Sequence, residues 1–459
     1  MGKTEQRIAE FIVETSGADI PERSYEAVRK AVYDCVGVTL AGSVQPHGEM
    51  IVNFAKREGG SGESTIIGSG HKTSASMAAL ANGTLGHALD YDDMGGFGHP
   101  SVALLPAALA IGEQKGISGR DLLAAYIVGF EVGNRLSKGS HYVQGERGFH
   151  STSLFGTMAA TAVSARLLGL DVHQTLMALG AAGSMSSGVL QNFGTYTKPL
   201  HAGLAGRNGV MAAQLANDGW LASEDIIESK VGWAAAFIGQ GNYDTEKMTE
   251  GLGTKWASAD SIVIKKYPCC GSNHSTLDSL IGLISENGIT LDDVDEVEVT
   301  GFPAISHVLL YPEPSYAYQG KFSVNYSAAT ALVDGRVNMD SYSNDKLNRS
   351  EYQEAARKIE IKTLSNWDPA YSAHPIENPV TVRLKDGRTL TRSTDRHSMH
   401  GTPADPLSDD EYQAKFRANA GLVLTGQEVN EATEKWWDIG AVQDVRTGMA
   451  VLSRSMVSR

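Results

Sequence analysis

Between residues 22 and 40 the apolar positions Tyr25, Val28, Ala31, Val32, Cys35 and Val36 fall three or four apart. This is the stripe of an amphipathic helix, with Pro21 at its start and Gly42 soon after its end. Similar segments predict helices at roughly 74–89, 104–114, 119–136, 154–168, 173–190 and 207–218, separated by short glycine-containing breaks. Alanine, glycine and serine recur along them, which lets helix backbones approach closely. After Ala259 the period changes. Val294, Glu296, Val297, Glu298 and Val299 alternate, as do Ile359 to Lys362 and the segments 380–384 and 389–392, the last two joined through Asp386-Gly387, a hairpin signal. Helix returns after Asp405, where Ser408 and Glu411 have capping-box spacing and Tyr412 and Phe416 share a face. The pattern predicts a large, discontinuous all-α domain over 1–261 and 397–459, with a smaller α+β domain, 262–396, inserted into it.

A length of 459 residues leaves ample material for a sizeable core. The net charge of −14 argues against nucleic acid and anionic membranes as partners. The three cysteines, Cys35, Cys269 and Cys270, cannot form a disulfide framework and suit a reducing compartment. Lys3, Glu5 and Arg7 give the N-terminus both signs of charge and no secretory apolar core, and the most apolar stretches, near 158–170 and 177–190, fall short of the ~20 residues a membrane span needs. A cytoplasmic protein with no membrane partner is expected.

No G-x-G-x-x-G follows a strand, and the sequence lacks a Walker-A loop, a G-x-S-x-G elbow and H-E-x-x-H. The cysteines do not converge on a cluster motif, and Cys270 with His274 has no orienting group or oxyanion loop beside it. Four other segments carry chemistry. The stretch from His87 to Ser101 packs Asp90, Asp92, Asp93, His87 and His99 around a glycine-rich loop that can return His99 toward Asp90, where a carboxylate fixes an imidazole tautomer. A divalent-metal loop would alternate its oxygen ligands more regularly. In the second segment His150 precedes Ser151-Thr152-Ser153 at the start of a small-residue helix, whose N-terminus favours an anion. The third, Thr197-Lys198-Pro199-Leu200-His201, reads as a turn between helices, and the fourth carries Lys265, Lys266, Cys269, Cys270 and His274 at the entrance to the inserted domain. In an acidic protein such basic loops suit an anionic, multi-carboxylate substrate.

These segments in this order, A-L-D-Y-D-D with H-P-S, F-H, T-K-P-L-H-A-G, Y-P-C-C with His274, and G-K-F-S-V-N-Y from Gly320 to Tyr326, resemble the MmgE/PrpD family over nearly the whole chain. The resemblance implies an all-helical domain with a smaller α+β lid, a homodimer, and no organic cofactor or metal. It implies that Asp90, His99, His150 and Lys198 are catalytic and that His274 and Tyr326 contact substrate. Lys266 joins them from the basic loop, and Met94 stands where the family often has Thr. In this reading Lys198 and His274 hold carboxylates, His99 and His150 move protons, and Asp90 orients an imidazole. The expected activity is that of a dehydratase or hydratase acting on a small di- or tricarboxylate by proton abstraction next to a carboxylate. An epimerase of an iminodisuccinate-like dicarboxylate comes second, a decarboxylase third, and a non-enzymatic carboxylate-binding dimer last.

Overall fold

The computed structural model describes residues 3–301, 308–363 and 379–453. Packing separates two units, one formed by Met1–Gln191, Lys198–Ile264 and Ser408–Arg459, the other by Asn192–Thr197 and Lys265–Leu407.

The first unit is helical. Its leading helices are α1 (Lys3–Glu14), α2 (Glu22–Ser43), α3 (Pro46–Glu58), α4 (Ala75–His87), α5 (Ser101–Lys115), α6 (Gly119–Gly139), α7 (Val143–Glu146), α8 (Ser151–Leu168), α9 (Val172–Met185) and α10 (Thr197–Asn217). Helix α8 packs on α5 and α6, and α4 packs on α2 and α5. Helices α4, α5 and α8 are buried around nearly their whole circumference, which is why their apolar residues follow no one-sided stripe. Two short antiparallel ribbons, β1 (Ser64–Ile66) with β2 (His71–Thr73) and β3 (Met94–Gly95) with β4 (Ile262–Val263), tie loops to this bundle. Helix α10 starts ten residues before the position the sequence pattern suggests, so the stretch read as a turn is its first helical turn. Pro199 is tolerated there because its missing N–H would have had no intrahelical partner.

The chain returns to the helical unit with the helix Asp409–Ala420, which opens on the Ser408/Glu411 capping box. This helix lies close against α2. A side chain at Gly37 would approach Phe416 to 3.0 Å, and the rings of Tyr33 and Phe416 stack at 4.2 Å.

The inserted unit holds a four-stranded sheet in the order β6 (Ile359–Thr363), β5 (Val294–Gly301), β7 (Val380–Leu384), β8 (Thr389–Arg392). Strands β5 and β6 are parallel, and the other pairings are antiparallel. Val297, Val299, Val380, Val382 and Leu384 supply the buried face, sharing one core with Leu277, Leu280 and Leu283 of the helix His274–Asn287 and Ala328 and Ala331 of the helix Val324–Asp334. The β7–β8 turn carries Gly387 at φ 91°, the left-handed conformation its Asp-Gly signal demands.

Candidate active site

The candidate residues of the helical unit converge because two close approaches bring their elements together. A Cβ on Gly203 of α10 would lie 2.2 Å from the Leu80 carbonyl oxygen of α4, and Gly83 faces Gly203 in turn. Only glycine permits that contact, and it brings Lys198, near the start of α10, to His87, the last residue of α4. Past His87 the chain reverses at Asp90, a non-glycine residue with φ 52°. The returning loop is pinned at Gly98, φ 124°, where a Cβ would strike Thr152 Oγ1 at 2.6 Å, and the His99 backbone N–H donates to the same oxygen at 3.0 Å.

Lys198 and Asp90 are 1% and 0% exposed, and Lys198 Nζ donates to Asp90 Oδ1 at 2.7 Å and to His87 Nε2 at 2.8 Å. An ammonium only donates, so His87 Nε2 carries the lone pair and Nδ1–H donates to Asp92 Oδ1 at 2.8 Å. His99 Nδ1 lies 2.9 Å from Asp92 Oδ2 and 3.0 Å from the Asp93 carbonyl oxygen, two acceptors that place its hydrogen on Nδ1. Asp92 thus takes a hydrogen bond from His87 and stands at ion-pair distance from His99. Asp90 Oδ1, engaged by Lys198, lies 3.9 Å from His99 Nε2 and 4.0 Å from His87 Nδ1.

Burial acts against the charge on Asp92, but the imidazole donors outweigh it and hold the carboxyl well below its ordinary range. Burial pushes His87 down to about 3, so it is a neutral link between Asp92 and Lys198. Asp93 moves the opposite way. Burial, and then the neighbouring Asp92 charge, raise it well above the usual carboxylate range, and its oxygens take the Ser101 hydroxyl at 2.9 Å and backbone N–H at 3.2 Å. The loop is also held from the far end of the chain. Lys415, on the helix Asp409–Ala420, donates to the Tyr91 carbonyl at 2.9 Å, lies 3.9 Å over the Tyr91 ring and pairs with buried Asp34 at 2.8 Å.

His150 is the N-cap residue of α8, with its backbone N–H on the Gly188 carbonyl at 3.1 Å. Its ring lies 6.2 Å from that of His87 and 6.4 Å from that of His99, and its Nδ1 is 3.2 Å from Nδ1 of His201 on α10. Burial, followed by the Lys198 charge, keeps His150 well below the ordinary imidazole value, and the same two causes take His201 to about 4. Donor atoms of His87, Asp90, Asp92 and His99 all lie within 4.8 Å of one another, a spacing that could hold a metal ion. The Lys198 ammonium, bonded to both Asp90 and His87, already occupies the cation position between those two residues.

Asp90, His99, His150 and Lys198 are thus brought together within the helical unit. Met94 lies on β3, half-buried and paired with Val263. The other three expected residues belong to the inserted unit. There His274 is buried at the start of its helix with its ring 5.2 Å from Tyr267, Lys266 pairs with Asp278 at 3.0 Å, and Tyr326 is buried with its hydroxyl donating to the Ser341 carbonyl at 2.7 Å. Sequence reading gave no roles to His87, Asp92 and His201. The signal for His201 is its i,i+3 spacing from Lys198, which puts the two on one helix face once the segment is read as helix.

Residues 6–246 match the MmgE/PrpD N-terminal domain and residues 267–439 the MmgE/PrpD C-terminal domain. Among known proteins, cis-aconitate decarboxylase of Homo sapiens is 28% identical over 421 residues, covering 88% of this chain and 85% of that protein. Cis-aconitate decarboxylase of Aspergillus terreus is 28% identical over 461 residues, 95% of this chain and 93% of its own. The cis-aconitate decarboxylase-like protein oryM of Aspergillus oryzae is 27% identical over 477 residues, 98% of each. With both domains matched in order along most of its length, the chain belongs to the MmgE/PrpD family of carboxylate-acting enzymes.

Proposed function

We propose that this protein is a cofactor-independent lyase that removes CO2 from a small, unsaturated di- or tricarboxylate. The observation that carries the reading is the buried Lys198 ammonium, bracketed by Asp90 and His87 and surrounded by His99, His150 and His201. Near-full-length relatives named as cis-aconitate decarboxylases favour decarboxylation over the dehydration that sequence alone put first.

Lys198 offers a substrate carboxylate a cation in a water-poor site, where a charge-assisted bond is strong. As the C–CO2 bond breaks, its electron pair forms a new alkene and the old alkene pair moves to the carbon beside a remaining carboxylate. That carbon then takes a proton from Nε2–H of an imidazolium, His150 or His99, which water protonates in each cycle. The fixed Nδ1–H of His99 leaves Nε2 as its working nitrogen. Asp92 holds the imidazole geometry, so little reorganisation accompanies proton transfer.

The reading includes a homodimer. Trp220, Leu221 and Val231 of the helical unit are 55%, 78% and 92% exposed, apolar surface that suits a second copy. Sedimentation at two concentrations tests it. Among the described residues no helix is long and apolar enough to cross a membrane.

The deciding experiment incubates the enzyme with cis-aconitate, 2-methylcitrate and substituted four-carbon dicarboxylates in D2O, followed by NMR, with and without exhaustive chelation. Loss of one carboxyl carbon with deuterium at the product carbon, unchanged by chelation, is the expected result. Dehydration or epimerisation in its place removes decarboxylation, and metal-dependent turnover removes cofactor independence.

A further inference from the structure

The two buried imidazoles of His150 and His201 present the same atom to each other, Nδ1 against Nδ1 at 3.2 Å, with ring centroids 5.4 Å apart. A nitrogen pair at that distance shares one hydrogen. With neither ring charged, one residue donates through Nδ1–H and has a bare Nε2, while the other accepts at Nδ1 and has its hydrogen on Nε2. The tautomers are therefore coupled, and setting one sets the other. His201 is anchored in α10 one helical turn after Lys198, and His150 is anchored as the N-cap residue of α8.

We propose that His201 is the positioning residue for His150. It accepts the His150 Nδ1–H, so that His150 Nε2 is the nitrogen that takes up and gives out the working proton. The assignment rests on the proposed decarboxylase reading, in which a proton must be delivered to carbon. A neutral acceptor behind Nδ1 lets His150 become an imidazolium and return to neutrality without moving its ring. The proton lost from Nε2 goes to the substrate carbon and is replaced from water as the next substrate binds, so no other reactant is needed.

The charged and titratable groups facing His150 are Lys198 and His201 on α10, His87 at the end of α4, and His99 in the loop before α5. Lys198 opposes a second positive charge in the empty site. A bound substrate carboxylate on Lys198 offsets that charge, so the imidazolium forms once substrate has arrived. In contrast with Asp92, which would attract a proton permanently, His201 supports the imidazolium only weakly, as suits a group that must surrender its proton each turnover.

Two variants separate positioning from packing. His201→Leu removes the acceptor and should lower kcat about 10–100-fold with KM changed less than about threefold, moving the alkaline limb of the kcat/KM profile, which reports the proton donor, to lower pH. His201→Asn offers Oδ1 close to where Nδ1 was and should restore most of kcat and return the limb. Wild-type kcat with an unmoved limb in His201→Leu would overturn the proposal, as would an Asn variant no better than the Leu variant. A measurement independent of turnover uses the whole enzyme labelled with [15N]histidine, with His150→Asn and His201→Asn variants to assign the signals. Nδ1–H on His150 and Nε2–H on His201 are expected, and the reverse tautomers overturn the assignment. If no carboxylate is turned over, the proposed function fails while the tautomers still decide this pair.

Discussion

The helical unit and the inserted unit bury polar groups in opposite ways. In the helical unit the buried polar residues include Asp90, Asp92, Lys198 and a group of imidazoles aimed at one another. In the inserted unit, some buried hydroxyls meet one another or backbone, as with Tyr326 on the Ser341 carbonyl and Ser327 on Tyr342 at 2.9 Å, and others meet single carboxylates, as with Tyr267 on Asp278 and Tyr352 on Asp334. Its buried Lys321 donates to the Pro268 carbonyl at 2.7 Å with its ammonium 4.5 Å from the Tyr342 ring centre. The carboxylates of its sheet, Glu296 and Glu298, pair outside the core with Arg383 and Lys362. The inserted unit buries cations as well, Lys265 and Lys321, but polar groups satisfied locally cost a fold little, whereas several buried charges converging on one another are expensive and point to chemistry. The difference is what makes the cluster of the helical unit the candidate site.

The largest effect should come from breaking the charge pair. Lys198→Met is expected to lower kcat/KM by about 10³-fold or more. It also strands buried Asp90, at about 3–5 kcal/mol. The sequence alone suggests a lysine serving substrate charge, and its burial against Asp90 gives it a part in stability as well. Asp90→Asn with Lys198→Met should regain most of the stability in urea melts and none of the activity. Recovery of both would show the pair to be merely structural.

Asp92→Asn comes next, because an amide can accept from only one of the two imidazoles and must donate toward the other. A loss of about 10²–10⁴ in kcat at modest cost in Tm is expected, the signature of a misassigned tautomer. A fall in Tm with normal kcat would make Asp92 a packing group.

A smaller effect concerns acid stability. His201 titrates near 4 in the folded chain, against an ordinary value of 6.5, so between those values the unfolded chain binds more protons and stability is lost as pH falls. His201→Asn should abolish this share, gaining on the wild type by up to about 3 kcal/mol as pH drops from 6.5 to 4, read from urea midpoints. Equal slopes would mean that His201 titrates normally. The smallest effect belongs to the inserted unit. Tyr326→Phe should cost about 1 kcal/mol for its bond to Ser341 and change kcat/KM less than about twofold, and a large kinetic loss would place Tyr326 among the substrate contacts, as the resemblance implies.

Much of the fold was legible because periodicity and turn chemistry agree. The 22–40 stripe became α2, Asp386-Gly387 became the β7–β8 turn, and Ser408 with Glu411 formed the capping box. The start of α10 was not legible, since Pro199 reads equally as a turn residue and as a first-turn residue. In the site, residue types were legible and partners were not. Asp90 and Asp92 are two positions apart and chemically alike, and only the left-handed backbone at Asp90 sends one to Lys198 and the other to the imidazoles.

The grip of Lys415 on the Tyr91 carbonyl bears on the order in which the chain is made. Asp90 and Asp92 leave the ribosome more than three hundred residues before the cation that braces the peptide between them. During synthesis the inserted unit emerges complete in the interval, while the loop waits with Asp34 uncompensated beside it. A nascent chain halted before residue 408 therefore has every residue of the cluster and none of the tether. The helix Asp409–Ala420, far from the cluster in sequence, completes the loop that carries it.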